Sequence, residues 1–342
     1  MLKRTRGPDP LEPFTGLDLP LPDRRDGKVR ISYALPDDDA GGQRRLLVTT
    51  DRLSAFDRVI AAVPYKGQVL NETSTFWFGR AFEPLNRFGA RHHLLEVPDP
   101  NVSIVRAATP LPVEVIVRGH ITGVTDTSLW RRYAEGNRVI DGHRLPEGLQ
   151  KNEPLPTPII TPTTKAGGGG PGDETGGGGG HDEPLSVTEV VERGLVDAEL
   201  WERVQGAAIA VFRLGVAVGA ANGALLADTK YEFGVDRDGA LLLIDELHTP
   251  DSSRWWVADS YDERLAAGEE PESLDKEVVR RAFADLGYRG DGPVPELPAA
   301  TWTATSDRYV DAYQRLLGRP FLPGAYPVPE RIVDHLTEAG LL

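Results

Sequence analysis

Residues whose types could carry out chemistry are concentrated between positions 225 and 256. Two runs rich in aliphatic and aromatic residues flank the segment 235–239, which contains Asp and Gly, and this arrangement predicts a β-hairpin. Because side chains alternate along a strand, one face of the first strand is predicted to carry Asp228, Lys230 and Glu232. The hairpin therefore presents a charged face within apolar sequence.

The predicted returning strand, 241–247, carries Asp245 and Glu246 near its far end. Up to four carboxylates and one lysine could converge on one patch. Such a patch suits Mg²⁺, which takes carboxylate oxygens and shares its shell with substrate phosphates, while a strand lysine can meet those phosphates directly. An ordinary cross-strand salt bridge explains the same spacing equally well. Alternation cannot choose between Asp245 and Glu246, because they fall on opposite faces of the strand.

Three further segments carry charges in places where they could act. A polar turn at 248–254 delivers Arg254 beside the hairpin. The nearly continuous apolar strand 111–118 bears Glu114 and Arg118, which predicts burial on both faces and a partner for each charge. Gly27 precedes Lys28 and a basic strand, where Lys28 could act as a point charge on phosphates. Taken alone, this pair is more often a turn with a solvated lysine.

Several blocks of sequence together resemble one family. LADTKYEFG and IDELHTPDSSRWW are similar to the C-terminal signature of the phosphoribosylaminoimidazole-succinocarboxamide synthases, the SAICAR synthetase family. Further blocks in the family's order are GKVR at Gly27, TDRLSAFD at Thr50, KGQVLNETSTFWF at Lys66, LPVEVIVRGHITG at Leu111, TPTTKA at Thr161, HDEPLS at His181 and LDKEVVR at Leu274. Because these blocks are individually unusual and span roughly residues 27–318, they are a stronger signal than one glycine motif.

The resemblance implies a ligase of purine biosynthesis that forms a C–N bond. Its substrates would be CAIR and L-aspartate, its cofactors ATP and Mg²⁺, and its products SAICAR, ADP and phosphate. The resemblance also implies roles for individual residues. The residues implied for ATP are Lys28, Glu114, Lys230 and Asp245, and those for Mg²⁺ are Glu232 and Asp245. Lys230 and Arg254 would be catalytic, and the substrate-binding residues would be Arg118, Ser128, Arg254, Lys276 and Arg280.

Two positions depart from the family's pattern. Ile31 stands where the family usually has Asp after GKVR, and Val124 stands where it commonly has Ser. That serine is implied to hold substrate phosphate. The hydroxyl could instead come from Thr125, Thr127 or Ser128, of which Ser128 is taken as the candidate.

The resemblance implies an α+β, two-lobed SAICAR synthetase-like fold. An antiparallel N-terminal sheet and an α/β C-terminal domain would enclose ATP in a cleft similar to those of ATP-grasp and kinase folds. The predicted organisation is an irregular lead-in at 1–26, a nucleotide-binding domain at 27–117, a substrate and metal domain at 118–318 and a C-terminal extension at 319–342. Within the second domain, glycine-rich 167–180 predicts a flexible inserted tether, because so many glycines disfavour helix and strand.

Residue patterns typical of helix ends and helices occur at several places in the chain. Ser186 and Glu189 form a predicted capping box, and Asp197 caps a long helix that ends at Gly223. Ser273 caps a helix on which Lys276 and Arg280, four residues apart, share a face. Two further helices are predicted at 70–82 and 307–317. His181-Asp182-Glu183 is predicted to be a polar loop rather than a metal cluster, because three consecutive residues do not share a face.

Composition limits the partners of the chain. With 38 Lys and Arg against 52 Asp and Glu, the net charge of −14 argues against a nucleic-acid or anionic-membrane surface. There is no cysteine, which excludes disulfides and thiol chemistry. The basic first residues lack an apolar run behind them, so we expect a cytoplasmic protein, as a monomer or small homo-oligomer. Segment 206–227 contains Arg213 and Asn222, which favours a buried helix over a membrane span.

Two rival functions stay open from the sequence. One is another ATP-dependent carboxylate–amine ligase or a small-molecule kinase on the same scaffold. The other is a nucleotide-binding protein without catalysis, which the departures at Ile31 and Val124 would favour.

Overall fold

The computed structural model describes residues 12–55, 58–125, 127–165, 183–274, 279, 282–283, 285–288 and 292–342. The predicted tether 167–180 lies outside the described residues. The strands are β1 (Arg25–Asp26), β2 (Arg30–Leu35), β3 (Arg44–Thr49), β4 (Arg52–Ala55), β5 (Arg58–Ala62), β6 (Ala90–His92), β7 (Leu94–Asp99), β8 (Val102–Arg106), β9 (Thr109–His120), β10 (Val139–Ile140), β11 (His143–Arg144), β12 (Pro154–Thr164), β13 (Ala224–Val235), β14 (Leu241–Ile244) and β15 (Ser253–Val257). The helices are α1 (Lys66–Asn86), α2 (Leu129–Ala134), α3 (Val187–Glu192), α4 (Ala198–Ala221), α5 (Tyr261–Ala266), α6 (Ala299–Leu317) and α7 (Val328–Glu338).

The first lobe is built on an antiparallel sheet with the strand order β1-β2-β3-β8-β7. Alternation along β2 buries Ile31 and Tyr33 in the core of this lobe. Helix α7 covers the same core with Val328, Ile332 and Leu336. The antiparallel N-terminal sheet expected from the resemblance is therefore present, and residues near the C-terminal end of the chain complete its packing.

A buried arginine anchors α7 to the first lobe. Arg331 donates two hydrogen bonds to the carboxylate of Asp99, at 2.9 and 3.1 Å, and one to the side-chain oxygen of Asn101 at 2.6 Å. A buried charge is tolerated when it is paired and hydrogen-bonded in this way. The segment 319–342 lies beyond the family-like blocks, yet it makes extensive contacts with the body of the protein.

The second lobe is built on a mixed sheet with the order β12-β9-β13-β14-β6, to which β15 adds by pairing with β13. Strand β6 runs parallel to β14, and the other pairings in this sheet are antiparallel. Helix α4 packs on β13 and β9, and α1 packs on α4 and α6. Fully buried tryptophans fill this core, namely Trp77, Trp201 and Trp255.

Several elements differ in length from the predictions, and among them α6 begins at Ala299 instead of residue 307. Helix α1 begins at Lys66 instead of residue 70, because Asp51 accepts a hydrogen bond from the Gly67 amide at 2.8 Å and so caps a polar first turn from a distant part of the chain. Strand β14 ends at Ile244 instead of residue 247. Asp245 has a φ of 66°, and this left-handed conformation interrupts the strand.

Strand β9 corrects the prediction of burial on both faces. Its burial alternates: Val113, Val115 and Val117 are buried in the core of the second lobe, while Glu114 and Arg118 lie on a partly exposed face. The sequence looked uniformly apolar because Pro112 and Ile116 occupy that second face together with the charges. The predicted partners for both charges are present.

The long helix α4 confirms the local capping signals. The Asp197 side chain accepts from the amides of Glu199 and Leu200, and the chain turns at Gly223 with a φ of 69°. The capping box of α3 is also formed by Ser186 and Glu189. Helix α4 is long and apolar enough to cross a membrane, but 39% of its most apolar window is buried inside the protein. It packs against the second sheet as a core helix.

Candidate active site

Four neighbouring strands, β12, β9, β13 and β15, present one face of charged and polar residues. The antiparallel register aligns Glu114 of β9 with Glu232 of β13 and with Thr163 of β12. Four residues further along β9, the same register aligns Arg118 with Asp228, and Asp228 is in turn aligned with Arg254 of β15. Lys230 lies between these two rows. The face therefore has a carboxylate-rich end and an arginine-rich end.

Lys230 is the centre of the carboxylate-rich end. Its ammonium donates to Glu114 and to Glu232, each at 2.8 Å, and Lys165 of the loop after β12 also pairs with Glu232. Burial alone would lower the pKa of Lys230, but the charges of Glu232, Asp245 and Glu114 hold it above its usual value. Burial likewise opposes ionisation of Glu232, but Lys230 and Lys165 lower its pKa below its usual value. Both groups are therefore charged at neutral pH.

Asp245 and Glu246 share one arginine from the first lobe. Arg30 of β2 donates to Asp245 at 2.6 Å and to Glu246 at 2.9 Å. In a regular strand, Asp245 and Glu246 would point to opposite faces. The left-handed φ of Asp245 ends this alternation, so both side chains contact the same guanidinium. Burial raises the pKa of Asp245, Arg30 opposes this shift, and the like charges of Glu232 and Glu246 add to it.

At the arginine-rich end, Arg118 and Arg254 both contact the carboxylate of Asp228. Asp228 accepts from Arg254 at 2.5 Å and lies 3.5 Å from Arg118, whose Nε donates to the hydroxyl of Thr161 at 2.8 Å. Within the part of the chain that the structure describes, both guanidinium groups contact the same Asp228 carboxylate. An anionic ligand would be favoured there, because guanidinium matches carboxylate and phosphate geometry in a bidentate manner.

The loop that links these two ends is fixed to α1 and α6. Lys66, at the first position of α1, is 0% exposed and pairs with Asp251 at 2.9 Å. The hydroxyl of Tyr309 on α6 donates to the same carboxylate at 2.5 Å. Within the loop, the ring of His248 forms a 2.6 Å hydrogen bond with the Tyr231 hydroxyl. These contacts determine the path of the chain between Asp245 and Arg254.

The remaining predicted site residues lie at the margins of this face. Lys28 is exposed in the turn between β1 and β2, which the Gly27 amide closes by donating to the Arg30 carbonyl at 2.8 Å. Ser128 is buried just before α2, and its hydroxyl donates to the Thr125 carbonyl at 2.7 Å. Lys276 and Arg280 lie outside the described residues, so their predicted contacts with substrate stay predictions.

Sequence reasoning missed two charged members of the site, Arg30 and Lys165. Both occur within blocks that carry the resemblance, GKVR and TPTTKA, but only Lys28 was selected from the first and no residue from the second. Asp228 was placed on the correct face without a role of its own. For Arg30 and Lys165, the available signal was the position of a basic residue within a recognised block.

Glu232 and Asp245 are the candidate ligands of a divalent metal ion. Among the described residues, no group of three or more His, Asp or Glu side chains is arranged to hold a metal ion. The like charges of Glu232 and Asp245 nevertheless repel each other, and a cation between them would relieve this repulsion. Two carboxylates fit Mg²⁺, which usually completes its shell with water and substrate phosphates.

Comparisons with known proteins all point to one family. A family model described as SAICAR synthetase matches residues 23–295. A phosphoribosylaminoimidazole-succinocarboxamide synthase of Legionella pneumophila is 43% identical over 329 residues, covering 94% of this chain and 97% of the relative. The chloroplastic synthase of Arabidopsis thaliana is 42% identical, covering 93% of this chain and 73% of the relative. The structure of the SAICAR synthase from Saccharomyces cerevisiae complexed with SAICAR aligns with a TM-score of 0.71 at 30% identity, covering 91% of this chain and 100% of that one.

Proposed function

Because the chain belongs to the SAICAR synthetase family, we propose that it joins L-aspartate to the carboxylate of CAIR in purine biosynthesis. The reaction consumes ATP and gives SAICAR, ADP and phosphate. The enzyme is thus a ligase that forms a C–N bond. The observation that carries this proposal is the charged sheet face, on which Lys230 and two carboxylates lie beside Arg118 and Arg254.

The chemistry requires ATP because a carboxylate is a poor acyl donor. Direct attack by the aspartate amine would have to expel oxide. A carboxylate oxygen of CAIR instead attacks the γ-phosphorus of ATP, the bond from that phosphorus to the bridging oxygen breaks, and ADP leaves. The amine then attacks the resulting acyl phosphate, phosphate leaves with the former carboxylate oxygen, and the amine loses a proton. No covalent enzyme nucleophile is needed, so positioning and charge neutralisation carry the catalysis.

The carboxylate-rich end is suited to the phosphates of ATP. Mg²⁺ held by Glu232 and Asp245 would neutralise phosphate charge when it is bound. Lys230, oriented by Glu114 and Glu232, supplies a further positive charge to the phosphoryl group in transfer. Arg30 holds the Asp245 side chain in place. Lys28 approaches the nucleotide from the turn between β1 and β2.

The arginine-rich end is suited to CAIR. Arg118 and Arg254 bind the anionic groups of the substrate, and Asp228 orients both guanidinium groups. Ser128 would add a hydroxyl contact, and Lys276 and Arg280 would complete the site. With this arrangement, the carboxylate of CAIR would lie between its own binding arginines and the phosphates of ATP.

A substrate-omission assay tests the proposal. Purified protein is incubated with ATP, Mg²⁺, CAIR and L-aspartate, and phosphate and SAICAR are measured with each component left out in turn. We expect equal amounts of phosphate and SAICAR in the complete mixture and no SAICAR in any incomplete one. Phosphate release without aspartate, or with a different carboxylate in place of CAIR, would favour another ligase or a kinase. ATP binding with no product in any mixture would favour a binding protein without catalysis.

A further inference from the structure

A second concave site lies away from the charged sheet face. It is a groove of about 900 Å³ bordered by the first half of α4, the turn 87–89 after α1, and the edge strand β12. Helix α4 packs on the core side of β9 and β13, which is opposite to the side that carries Glu114 and Lys230. The groove is therefore separate from the proposed active site, and its volume is in the range of small-molecule pockets.

The floor of the groove is apolar and its walls are fixed by the fold. Ile209 and Ala210 of α4 line it together with Ile160 of β12. Gly206 lets the ring of Phe88 rest directly on the helix, since a Cβ at this position would come within 2.2 Å of the ring. Arg203 donates to the Phe88 and Gly89 carbonyls at 3.1 and 2.6 Å, which holds the turn 87–89 in place. The shape is thus preformed.

The rim of the groove carries a local excess of positive charge. The described residues that line it include Arg87, Arg203 and Arg213, and one carboxylate, Glu202. Among the described residues, the partners of Arg203 are two carbonyl oxygens, which do not compensate its charge. Arg87 and Arg213 are exposed and form no ion pair within the part of the chain that the structure describes. Two net positive charges at one groove are notable in a chain with a net charge of −14.

We propose that this groove binds a small phosphate monoester whose planar or aliphatic body lies on the apolar floor. The two net positive charges match a phosphate dianion, and guanidinium groups can bind phosphate oxygens in pairs. A second copy of the chain fits the groove less well, because two recessed floors related by a two-fold axis cannot touch. A peptide strand fits less well at β12, where Pro156 and Pro158 remove backbone donors from the edge.

Calorimetric titration with AMP tests the proposal, in the presence of saturating ADP so that the nucleotide cleft is filled. Arg87→Ala/Arg213→Ala removes two exposed rim charges that make no ion pair with any described residue, so the fold should be unaffected. Arg80→Ala is the matched control, because Arg80 is an exposed arginine on α1 that does not line the groove. Lys230→Met reports on the sheet face, and inorganic phosphate reports on charge without an apolar body.

We expect one AMP site per chain, with a Kd that rises at least about tenfold in Arg87→Ala/Arg213→Ala and is unchanged in Arg80→Ala and Lys230→Met. Inorganic phosphate should bind at least about tenfold more weakly than AMP. The proposal is overturned if AMP shows no binding up to about 5 mM, or binds the double variant as tightly as the wild type. It is also overturned if Lys230→Met abolishes binding, or if inorganic phosphate binds as tightly as AMP.

Discussion

At the residue scale, the site is a set of charges whose partners come from different strands. Lys230 bridges two carboxylates within the second sheet, while Arg30 crosses from the first lobe to reach Asp245 and Glu246. Neutralising one member should therefore affect its neighbours as well as its own contact with substrate. Asp245 and Glu246 share one arginine but differ in their proposed roles, which makes them a matched pair for mutagenesis.

Asp245→Asn should lower kcat by on the order of 100-fold or more while leaving the fold intact. The substitution keeps the size of the side chain but removes the charge proposed to hold Mg²⁺ against the phosphates. Higher Mg²⁺ or Mn²⁺ should restore part of the activity. Because burial and like charges raise the pKa of Asp245, its neutral replacement should not lower the melting temperature. Steady-state kinetics and thermal unfolding measure the two effects.

Glu246→Gln is the control for this variant. Glu246 also accepts from Arg30 and from the Thr249 hydroxyl, at 2.7 Å in the second case, so it has a structural role at the start of the loop. We expect a smaller loss of kcat and no rescue by added metal. If Glu246→Gln were inactive and Asp245→Asn active, the metal role would belong to Glu246.

The shared face of Asp228, Lys230 and Glu232 could be predicted from alternation alone. Their partners could not, because hydrogen bonding between strands depends on register. The contact between Arg30 and Asp245 joins residues that are 215 positions apart, and no local pattern predicts such a pair. Alternation also could not choose between Asp245 and Glu246. The left-handed conformation of Asp245 ends the alternation, so both side chains contact Arg30.

At the element scale, the loop between β14 and β15 determines the distance between the two ends of the site. Its Leu247 amide donates to the Ser74 hydroxyl at 3.2 Å, and the Trp255 indole donates to the His248 carbonyl at 3.0 Å. The ion pair between Lys66 and Asp251 joins this loop to a fully buried lysine at the start of α1. Helix α1 therefore acts as the support on which the loop is mounted.

Lys66→Met should destabilise the protein by roughly 3–5 kcal/mol, because it removes the cation that lies 2.9 Å from the buried Asp251 carboxylate. The double variant Lys66→Met/Asp251→Leu should be more stable than the single one, since both charges of the pair are removed together. Denaturant unfolding of the wild type, both single variants and the double variant gives the coupling free energy. Additive losses, with no coupling between the two positions, would show that the pair does not anchor the loop.

Element boundaries followed the sequence where their causes are local. Asp197 and the Ser186–Glu189 capping box mark the starts of α4 and α3 correctly, because capping involves residues within one turn. The start of α1 was predicted four residues late, because its first turn is stabilised by Asp51. A cap supplied by a distant residue leaves no signal in the helix itself.

At the scale of the whole molecule, two buried histidines, His93 and His248, and the partly buried His120 link stability to pH. Burial lowers the pKa of His93 and His248 to about 3 and that of His120 to about 4. The unfolded chain, with histidine pKa values of about 6.5, therefore binds protons that the folded chain does not. Each histidine contributes stability that is fully present above about pH 6.5. This stability is lost as the pH falls from about 6.5 towards the folded-state pKa of the histidine.

His248→Asn should flatten the decline of unfolding free energy between about pH 6 and 4.5 by about 1.4 kcal/mol per pH unit. Asparagine tolerates the φ of 53° at this position, so the variant should fold. Asp245 titrates with the opposite sign, but it is present in both proteins and cancels in the comparison. Equal slopes for the two proteins in urea unfolding would mean that His248 is protonated in the folded state.

The two-lobed architecture was accessible from the sequence because ordered blocks resemble one family over most of the chain. The packing of α7 against the first sheet could not be predicted from the sequence. The sequence of this helix is amphipathic, but its covering of the first sheet depends on Arg331 meeting Asp99, 232 positions earlier. Packing between the ends of a chain is determined by the complete fold.

The central claim is that the carboxylate of CAIR is activated as an acyl phosphate on the charged sheet face. CAIR labelled with ¹⁸O in its carboxylate tests this claim most directly, with mass spectrometry of the phosphate, the ADP and the SAICAR formed. We predict that each phosphate released carries one ¹⁸O from the carboxylate, that SAICAR retains the other, and that ADP carries none. Unlabelled phosphate, or label in an adenine nucleotide, would contradict the proposed mechanism.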